Sequence, residues 1–498
     1  MGTPGYREFI ALAWPIVLAR SAQAVIGFSD AAMVAPLGEN ALAATTAAAT
    51  NTLALFILPM GIVFIVQSFA SQLAGRRDLD GARRYAYYAL ILAAITLVLS
   101  CAAIPGLGTF VDMLGFTPEV RGLMATYMTI RFVAAGAVVG SEGLGNWYAG
   151  LGDTRVAMVA NIIAMIVNIA LNWVLIYGNL GAPALGVEGA AWASVIASWV
   201  GFAAIAAYFA VDRGRRVLAE IATRPESEAP PAPPPPPTHD PPPSPATHDP
   251  HATPETSGDL SSAAERRLSW AEFRRMIRFG LPNGFNWFLE FSAFLVFINV
   301  IFADLGTSAV ASLMAVIQVN SVSFMPAFGL TTAGAILVGQ AIGRDTHDEV
   351  PRIVLRTLSL TMAWQGLVGI GYLLFPTALM AIFAAEGESA ETSKVALLGA
   401  TLLAISAAWQ LFDAFVMTLN EALRAAGDTA WCLWARVATA WLVWLPLTYV
   451  VVSVIYVGSA PAAMWCMVAY FVVLSGVIGW RFRSGAWRRI QLTEAPRT

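Results

Sequence analysis

Three carboxylates lie inside long apolar stretches of the sequence: Asp30, Glu290 and Asp413. An ionisable side chain near the centre of a bilayer costs about 2.5 to 3.5 kcal/mol on insertion scales, so it needs a partner or a function. Glu290 and Asp413 have no basic residue close to them in the sequence, and a carboxyl group in apolar surroundings suits reversible binding of a proton or a metal cation. We therefore predict a cation site at Glu290 and Asp413, with sodium as the expected metal, and cation binding at Asp30.

Asp30 also has a structural interpretation. One helical face of the first apolar run carries four residues at spacing 0, 3, 7 and 10: Arg20, Gln23, Gly27 and Asp30. An ion pair with Arg20, or with Arg131, would hold Asp30 permanently ionised. Three helical turns separate the backbones of Arg20 and Asp30 by about 15 Å, which is too far for direct contact unless Arg20 extends. We therefore expect Asp30 to take part in cation binding.

Amide side chains accompany the acids at helical spacing. Six of them are predicted to line a substrate cavity: Gln23, Asn168, Asn172, Asn283, Asn286 and Gln410. Asn283, Asn286 and Glu290 recur at 0, 3 and 7, which places them on one face of a helix. Gln410 precedes Asp413 by three positions. Hydrogen bonding between helices, with no part in binding, is the alternative role for the asparagines.

The remaining polar groups in apolar runs are interpreted as structural. Glu142 and Glu421 are expected either to extend to the membrane surface or to pair with a nearby arginine such as Arg424. The three cysteines lie in apolar runs without C-x-x-C spacing, so we expect buried thiols rather than metal ligands or disulfides. No cofactor is expected beyond a coupling ion.

The composition places these residues in a membrane. Of the 498 residues, 57% are hydrophobic and only 12% are charged, whereas a typical soluble domain is about 25% charged. Apolar runs of about 20 residues indicate spanning helices rather than barrel strands. Twelve spans are predicted, at residues 9–34, 46–74, 85–104, 122–149, 156–178, 187–211, 277–303, 308–342, 353–383, 395–423, 430–457 and 460–481. The chain is thus expected to be an all-α membrane protein that contacts lipid and binds no nucleic acid.

The two halves of the chain resemble each other. Matching segments are Trp14-Pro15 and Leu281-Pro282, Leu37-Gly38 and Leu305-Gly306, and Gly152-Asp153-Thr154 and Gly427-Asp428-Thr429. An even number of spans in each half makes this a parallel duplication. We predict an N-lobe of six helices at 1–212, a cytoplasmic linker at 213–270 and a C-lobe of six helices at 271–498. The linker is rich in proline and is expected to be an extended, solvated tether.

The basic residues predict the orientation. Most of the 29 Lys and Arg fall on one side of the membrane if the N-terminus is cytoplasmic, and Arg436, near the start of the eleventh span, is assigned to that side. The positive-inside rule then places both termini in the cytoplasm. We expect a multi-pass protein of the cell inner membrane that acts as a monomer.

Four segments carry a family resemblance: G-F-S-D-A-A-M-V-A-P-L-G at 27–38, G-D-T-R at 152–155, G-L-P-N-G-F-N-W-F-L-E at 280–290 and W-Q-L-F-D at 409–413. On these segments the chain resembles the multidrug and toxic compound extrusion (MATE) family. The resemblance implies a polyspecific efflux transporter that exchanges cationic or amphipathic compounds for sodium ions or protons. It implies two six-helix lobes that give alternating access to a central site.

The resemblance also bears on individual residues. Acids in spans 7 and 10 are typical of the NorM-like branch, and Glu290 and Asp413 occupy those places. Asp30 matches the acid of span 1. Asn172 stands where some relatives have aspartate, and Y-x-x-I-R at 127–131 is similar to the DinF-like branch. Cation binding in the N-lobe therefore stays open.

Two other classes are alternatives. Another twelve-helix carrier, such as a major facilitator or a lipid-linked oligosaccharide flippase, would share the span count. A flippase is expected to line its cavity with several arginines, whereas only Arg20 and Arg131 are predicted to lie away from the membrane surface. A membrane-embedded enzyme such as a transferase is disfavoured, because no span contains histidine and the chain has neither D-D-x-x-D nor G-x-S-x-G.

Overall fold

The computed structural model describes residues 5–114, 116–211, 268–381 and 394–493. Its long helices are α1 Tyr6–Val34, α2 Glu39–Gly75, α3 Leu79–Ala103, α4 Pro118–Phe132 with Ala135–Gly150, α5 Arg155–Tyr177, α6 Val187–Ala210, α7 Trp270–Val296, α8 Thr307–Gly343, α9 Val350–Leu374, α10 Lys394–Ala426, α11 Thr429–Ile455 and α12 Ala460–Arg483. Eleven are long and apolar enough to span a membrane, and the bent pair in α4 makes a twelfth. The predicted all-α fold with twelve spans is confirmed. Most of the predicted linker, 213–270, lies outside the described residues.

The backbone repeats between the two halves at the turns. Gly38 and Gly306, which precede α2 and α8, have φ of 111° and 98°. Gly152 and Gly427, which precede α5 and α11, have φ of 92° and 91°. Glycine is favoured at such positive φ because a Cβ atom would be strained there. The sequence repeat is therefore a structural repeat, with corresponding turns at corresponding positions.

Each half packs around its own helices. In the first half, which we call the N-lobe, α5 packs on α1 and α6, and α4 packs on α2 and α3. In the second half, the C-lobe, α10 packs on α8, α9 and α12, and α7 packs on α11. The lobes meet where α2 contacts α7 and α8, and where α1 contacts α8. These three helix pairs are the surfaces that have to slide or separate if the lobes move.

The lobes approach most closely at the ends of α2 and α8. A Cβ atom on Gly75 would lie 2.3 Å from the carbonyl oxygen of Gln340, and one on Gly343 would lie 2.0 Å from that of Gln72. Only glycine fits at either position, because any side chain would collide with the backbone of the other lobe. We call this side of the bundle the arginine end, since Arg76 and other arginines of the basic loops lie there.

The helices are irregular in three places that matter below. α4 bends by 50° between its two segments. α7 continues into a π-helical stretch at Phe297–Phe302, and α11 contains another at Ala438–Trp444. A π turn inserts one residue into a helix and is frequent at functional sites. The repeat offset, which is the difference in residue number between corresponding positions of the two halves, is 267 for Pro15 and Pro282 and 268 for Gly38 and Gly306. The residue inserted by the π turn after α7 accounts for this increase of one.

Candidate functional site

A cavity of about 490 Å³ lies in the N-lobe and reaches the lobe interface. It is lined by residues of α1, α2, α4, α5 and α6, together with Met325, Phe328 and Thr332 of α8. Its charged lining residues are Arg20, Asp30, Arg131 and Glu142. Apolar walls with a few converging polar groups are the usual make-up of a small-molecule site.

Asp30 is held by three uncharged donors. Its Oδ1 accepts hydrogen bonds from the Nδ2 atoms of Asn172 at 2.6 Å and Asn168 at 3.1 Å. Its Oδ2 accepts one from the hydroxyl of Ser194 at 2.7 Å. The side chain of Asp30 is buried. Its neighbours satisfy the carboxylate oxygens without neutralising their charge, so the predicted grouping of Asp30 with Asn168 and Asn172 is present and Ser194 adds to it.

Arg20 does not pair with Asp30. Its guanidinium donates to both carboxylate oxygens of Glu142, at 2.5 and 3.2 Å, and to Oε1 of Gln23 at 3.0 Å. The structural alternative for Asp30 through Arg20 is therefore wrong, because α4 brings Glu142 within reach of Arg20. Glu142 does pair with an arginine, as expected, but the pair lines the cavity.

Arg131 is the second cationic group near Asp30. It lies on α4 beside Tyr127, and its charge interacts with Asp30 across the cavity. Its buried Nε has no hydrogen-bond partner among the described residues. The four charged groups of the cavity thus comprise two arginines and two acids.

Glu290 in the C-lobe has a basic partner. It forms an ion pair with Arg436 of α11, whose side chain is 12% exposed, while that of Glu290 is 46% exposed. The expectation that Glu290 lacks a local counter-charge is wrong for one reason. Packing of α7 against α11 brings together residues that are far apart in the sequence.

Asp413 of α10 lies close enough to Glu290 and Arg436 to interact with both charges. The two acids and the arginine therefore form one cluster, which we call the C-lobe cluster. Tyr470 of α12 borders it and interacts with the same three groups. The sequence predicted the two acids, whereas Arg436 and Tyr470 were missed because neither is near them in the chain.

The predicted amides of the C-lobe do not join this cluster by hydrogen bonds. Gln410 donates to Oδ1 of Asn320 on α8 at 2.7 Å. Asn283 donates to the carbonyl oxygen of Gly61 at 2.6 Å and so links α7 to α2 of the other lobe. Asn286 is buried, and its Oδ1 has no partner among the described residues. The contact of Asn283 matches the alternative interpretation, in which asparagines hold helices together.

The repeat relates a pair in one lobe to a pair in the other. The offset of 267 at the Pro15 and Pro282 pair aligns Gln23 with Glu290. The offset of 275 at the Gly152 and Gly427 pair aligns Asn161 with Arg436. In the N-lobe, Nε2 of Gln23 donates to Oδ1 of Asn161 at 3.3 Å. The same helix-to-helix contact is thus a neutral amide pair in the N-lobe and an ion pair in the C-lobe.

A bundle of two repeated six-helix halves, with acids within the apolar helices of both, is typical of the class of secondary transporter folds. The family model MatE matches residues 15–174 and 282–450, which covers most of both halves. The chain belongs to the MatE family, which confirms the resemblance found in the sequence.

Individual relatives agree with this placement. The chain is 25% identical to a probable multidrug resistance protein NorM of Thermotoga maritima, over 97% of this chain and 93% of that protein. It is also 25% identical to one of Chromobacterium violaceum, over 89% and 85%. A solved structure of a multidrug resistance MATE family transporter in the outward-facing conformation has a TM-score of 0.80 and 20% identity, with 97% of each chain covered. The likeness to the solved structure concerns the fold.

Proposed function

We propose that the protein is a secondary active multidrug efflux antiporter that exchanges cationic or amphipathic compounds for sodium ions or protons. The observation that carries this proposal is an acid site inside the helices of each lobe of a MatE-family fold. Asp30 faces a cavity of drug-sized volume, and Glu290 and Asp413 share the C-lobe cluster. Buried acids in membrane helices mark ion or substrate pathways.

The arginine end supplies the gate that alternating access requires. Arg424 of α10 is 1% exposed and donates to Oε1 of Gln67 at 3.0 Å and to the hydroxyl of Ser68 at 3.1 Å, both on α2 of the other lobe. Glu421 pairs with the guanidinium and neutralises it, which is one of the two roles expected for this acid. Nε2 of Gln72 also donates across the interface to the carbonyl oxygen of Ala425 at 2.8 Å. We call these contacts the Arg424 latch.

Opening the cavity toward the arginine end requires the Arg424 latch to break. With both termini in the cytoplasm, as the arginines predict, the described state is closed on the cytoplasmic side. A substrate bound there can leave only toward the other face. The proposed cycle therefore has the latch form when the lobes close behind the substrate and break when the transporter resets.

The C-lobe cluster is the proposed coupling-ion site. Its carboxylate oxygens are suited to a proton or to a hard cation such as sodium. A lobe arrangement that buries the cluster is disfavoured while the charge of the cluster is uncompensated. A cation that binds one lobe arrangement more tightly than the other therefore shifts the equilibrium between them when it binds or leaves. The proposed substrate site comprises the N-lobe cavity, with Asp30 and Gln23, and the C-lobe cluster, where the positive charge of the substrate competes with the coupling ion. We further propose that the protein resides in the inner membrane, acts as a monomer, and uses the linker at 213–270 only as a tether.

The test is ion-driven dye transport by the purified protein in liposomes. Ethidium uptake is followed by fluorescence while a sodium gradient or a proton gradient is imposed, one at a time. At least one gradient should drive uptake, and collapsing that gradient should stop it. Asp304→Asn serves as the matched control, because Asp304 is an exposed acid in the turn after α7. Absence of uptake with either gradient, in protein that is correctly inserted, would contradict the proposed function.

A further inference from the structure

Arg436 gives the C-lobe cluster a property that its two acids alone would not have. With both acids ionised, Glu290 and Asp413 contribute two negative charges and Arg436 contributes one positive charge. Arginine stays protonated at any physiological pH, so its charge cannot be lost by titration. In that ionised state the cluster carries a net single negative charge.

The structure holds Arg436 firmly on α11 while leaving its partner accessible. Arg436 is the penultimate residue of the straight segment Thr429–Val437, directly before the π-helical stretch. Nε1 of Trp441 in that stretch donates to the carbonyl oxygen of Leu289 at 3.2 Å, which fixes α11 against α7 beside Glu290. Glu290 is 46% exposed, so an incoming cation can reach its carboxylate.

In the other repeat the two aligned positions make their contact without an ion pair between them, and the guanidinium that reaches Gln23 belongs to Arg20 of the same helix. At the aligned positions of the N-lobe, Gln23 and Asn161 make the same contact between α1 and α5 with neutral amides. Helix packing alone therefore does not explain why the C-lobe has a permanent cation here.

We propose that Arg436 is a tethered counter-cation of the C-lobe site, which occupies Glu290 until an incoming cation displaces it and which limits the site to one positive charge at a time. This inference rests on the proposed function and concerns the charge selectivity of its coupling site. A monovalent ion or a monocationic compound restores neutrality. A dication leaves an excess positive charge next to the guanidinium and is disfavoured.

The test compares two dyes that share one ring system. Ethidium carries one positive charge, and propidium carries a second one on a side chain. Their dissociation constants are measured by fluorescence on purified wild-type protein and on three variants that change the net charge of the cluster. Arg436→Gln makes the charge −2, the double variant Glu290→Gln with Arg436→Asn keeps it at −1, and Asp413→Asn makes it zero. The double variant reproduces the neutral pair of the N-lobe.

The ratio of propidium affinity to ethidium affinity should follow the charge. It should rise by at least about tenfold in Arg436→Gln, because one unit charge within about 8 Å has an effect of that size at an effective dielectric constant near 20. It should stay at the wild-type value in the double variant and fall in Asp413→Asn. Arg436→Lys, which keeps the charge, should also keep the wild-type ratio.

Two outcomes would overturn the proposal in different ways. A ratio that is equal in wild type, Arg436→Gln and Asp413→Asn would overturn the tethered cation while leaving the proposed function intact. Failure of wild-type protein to bind either dye would overturn both. If Arg436→Gln does not accumulate, Asp413→Asn and the double variant still test the proposal. Asp413→Asn changes the net charge of the cluster and should lower the affinity ratio, whereas the double variant keeps the net charge and should leave the ratio unchanged.

Discussion

The two lobes repeat the same turns and helix order but surround their acids with different groups. In the N-lobe, Asp30 is surrounded by the amides of Asn168 and Asn172 and the hydroxyl of Ser194. In the C-lobe, Glu290 is paired with Arg436. Neutral donors satisfy a carboxylate and leave its charge available, whereas an arginine neutralises it. A duplicated fold can therefore hold the same kind of group in two different electrostatic environments.

The acids also lie at different heights. Glu290 aligns with Gln23, which is seven residues, or about 10 Å along the helix, from Asp30. The C-lobe residue that aligns with Asp30 is Phe297, the first residue of the π-helical stretch. A substrate or ion would therefore meet the N-lobe acid and the C-lobe acid at separate levels of the bundle, which fits separate roles for them.

The largest expected effect follows from removing the C-lobe acids. Glu290→Gln or Asp413→Asn should reduce ion-driven ethidium transport to background, because the cluster loses the negative charge that binds the coupling ion. The measurement is uptake in liposomes at matched protein content, with Asp304→Asn as the control. Resistance to ethidium in cells that produce Glu290→Gln at normal levels would count against this role.

The next effect concerns the Arg424 latch. Arg424→Ala should destabilise the protein by about 3 to 5 kcal/mol, since it leaves the buried carboxylate of Glu421 without its partner. We expect a clear drop in the thermal unfolding midpoint in detergent. Arg121→Ala is the matched control, because Arg121 pairs with the exposed Asp112 and such surface pairs contribute about 0 to 1 kcal/mol. Equal shifts for the two variants would show that the latch is not a stabilising contact between the lobes.

A smaller effect is expected at Asp30. Asp30→Asn should fold, because the amide oxygen can still accept a hydrogen bond from Asn172, but export of cationic dyes should fall by about tenfold, equivalent to about 1.4 kcal/mol. Dye export and membrane accumulation are measured side by side. Normal export by Asp30→Asn, together with poor accumulation of Arg20→Ala, would mean that the Arg20 and Glu142 pair supports this face and the acid is dispensable.

The smallest effect should come from the linker. Its composition offers few apolar groups that could pack on either lobe. Deleting residues 230–255 should leave dye transport within about twofold of wild type. If the deletion protein inserts normally but does not transport, the linker binds a partner or regulates the lobes.

The sequence predicted the spans, the repeat and both acids of the C-lobe, because hydrophobic length and helical spacing are local signals. It missed the partners. Arg436 was not recognised as the partner of Glu290, nor Asn320 as the partner of Gln410, since each contact depends on which helices pack together. One signal was available: the repeat aligns Gln23 with Glu290 and Asn161 with Arg436, so polar residues recur at both contact positions.

The measurement that tests the central claim most directly is release of the coupling ion when a dye binds. Purified protein is equilibrated with radioactive sodium or in weakly buffered solution, ethidium is added, and released sodium or protons are counted. We predict that wild type and Asp30→Asn release one coupling ion for each dye bound, and that Glu290→Gln releases none. Unchanged release from Glu290→Gln would contradict the assignment of the coupling site to the C-lobe.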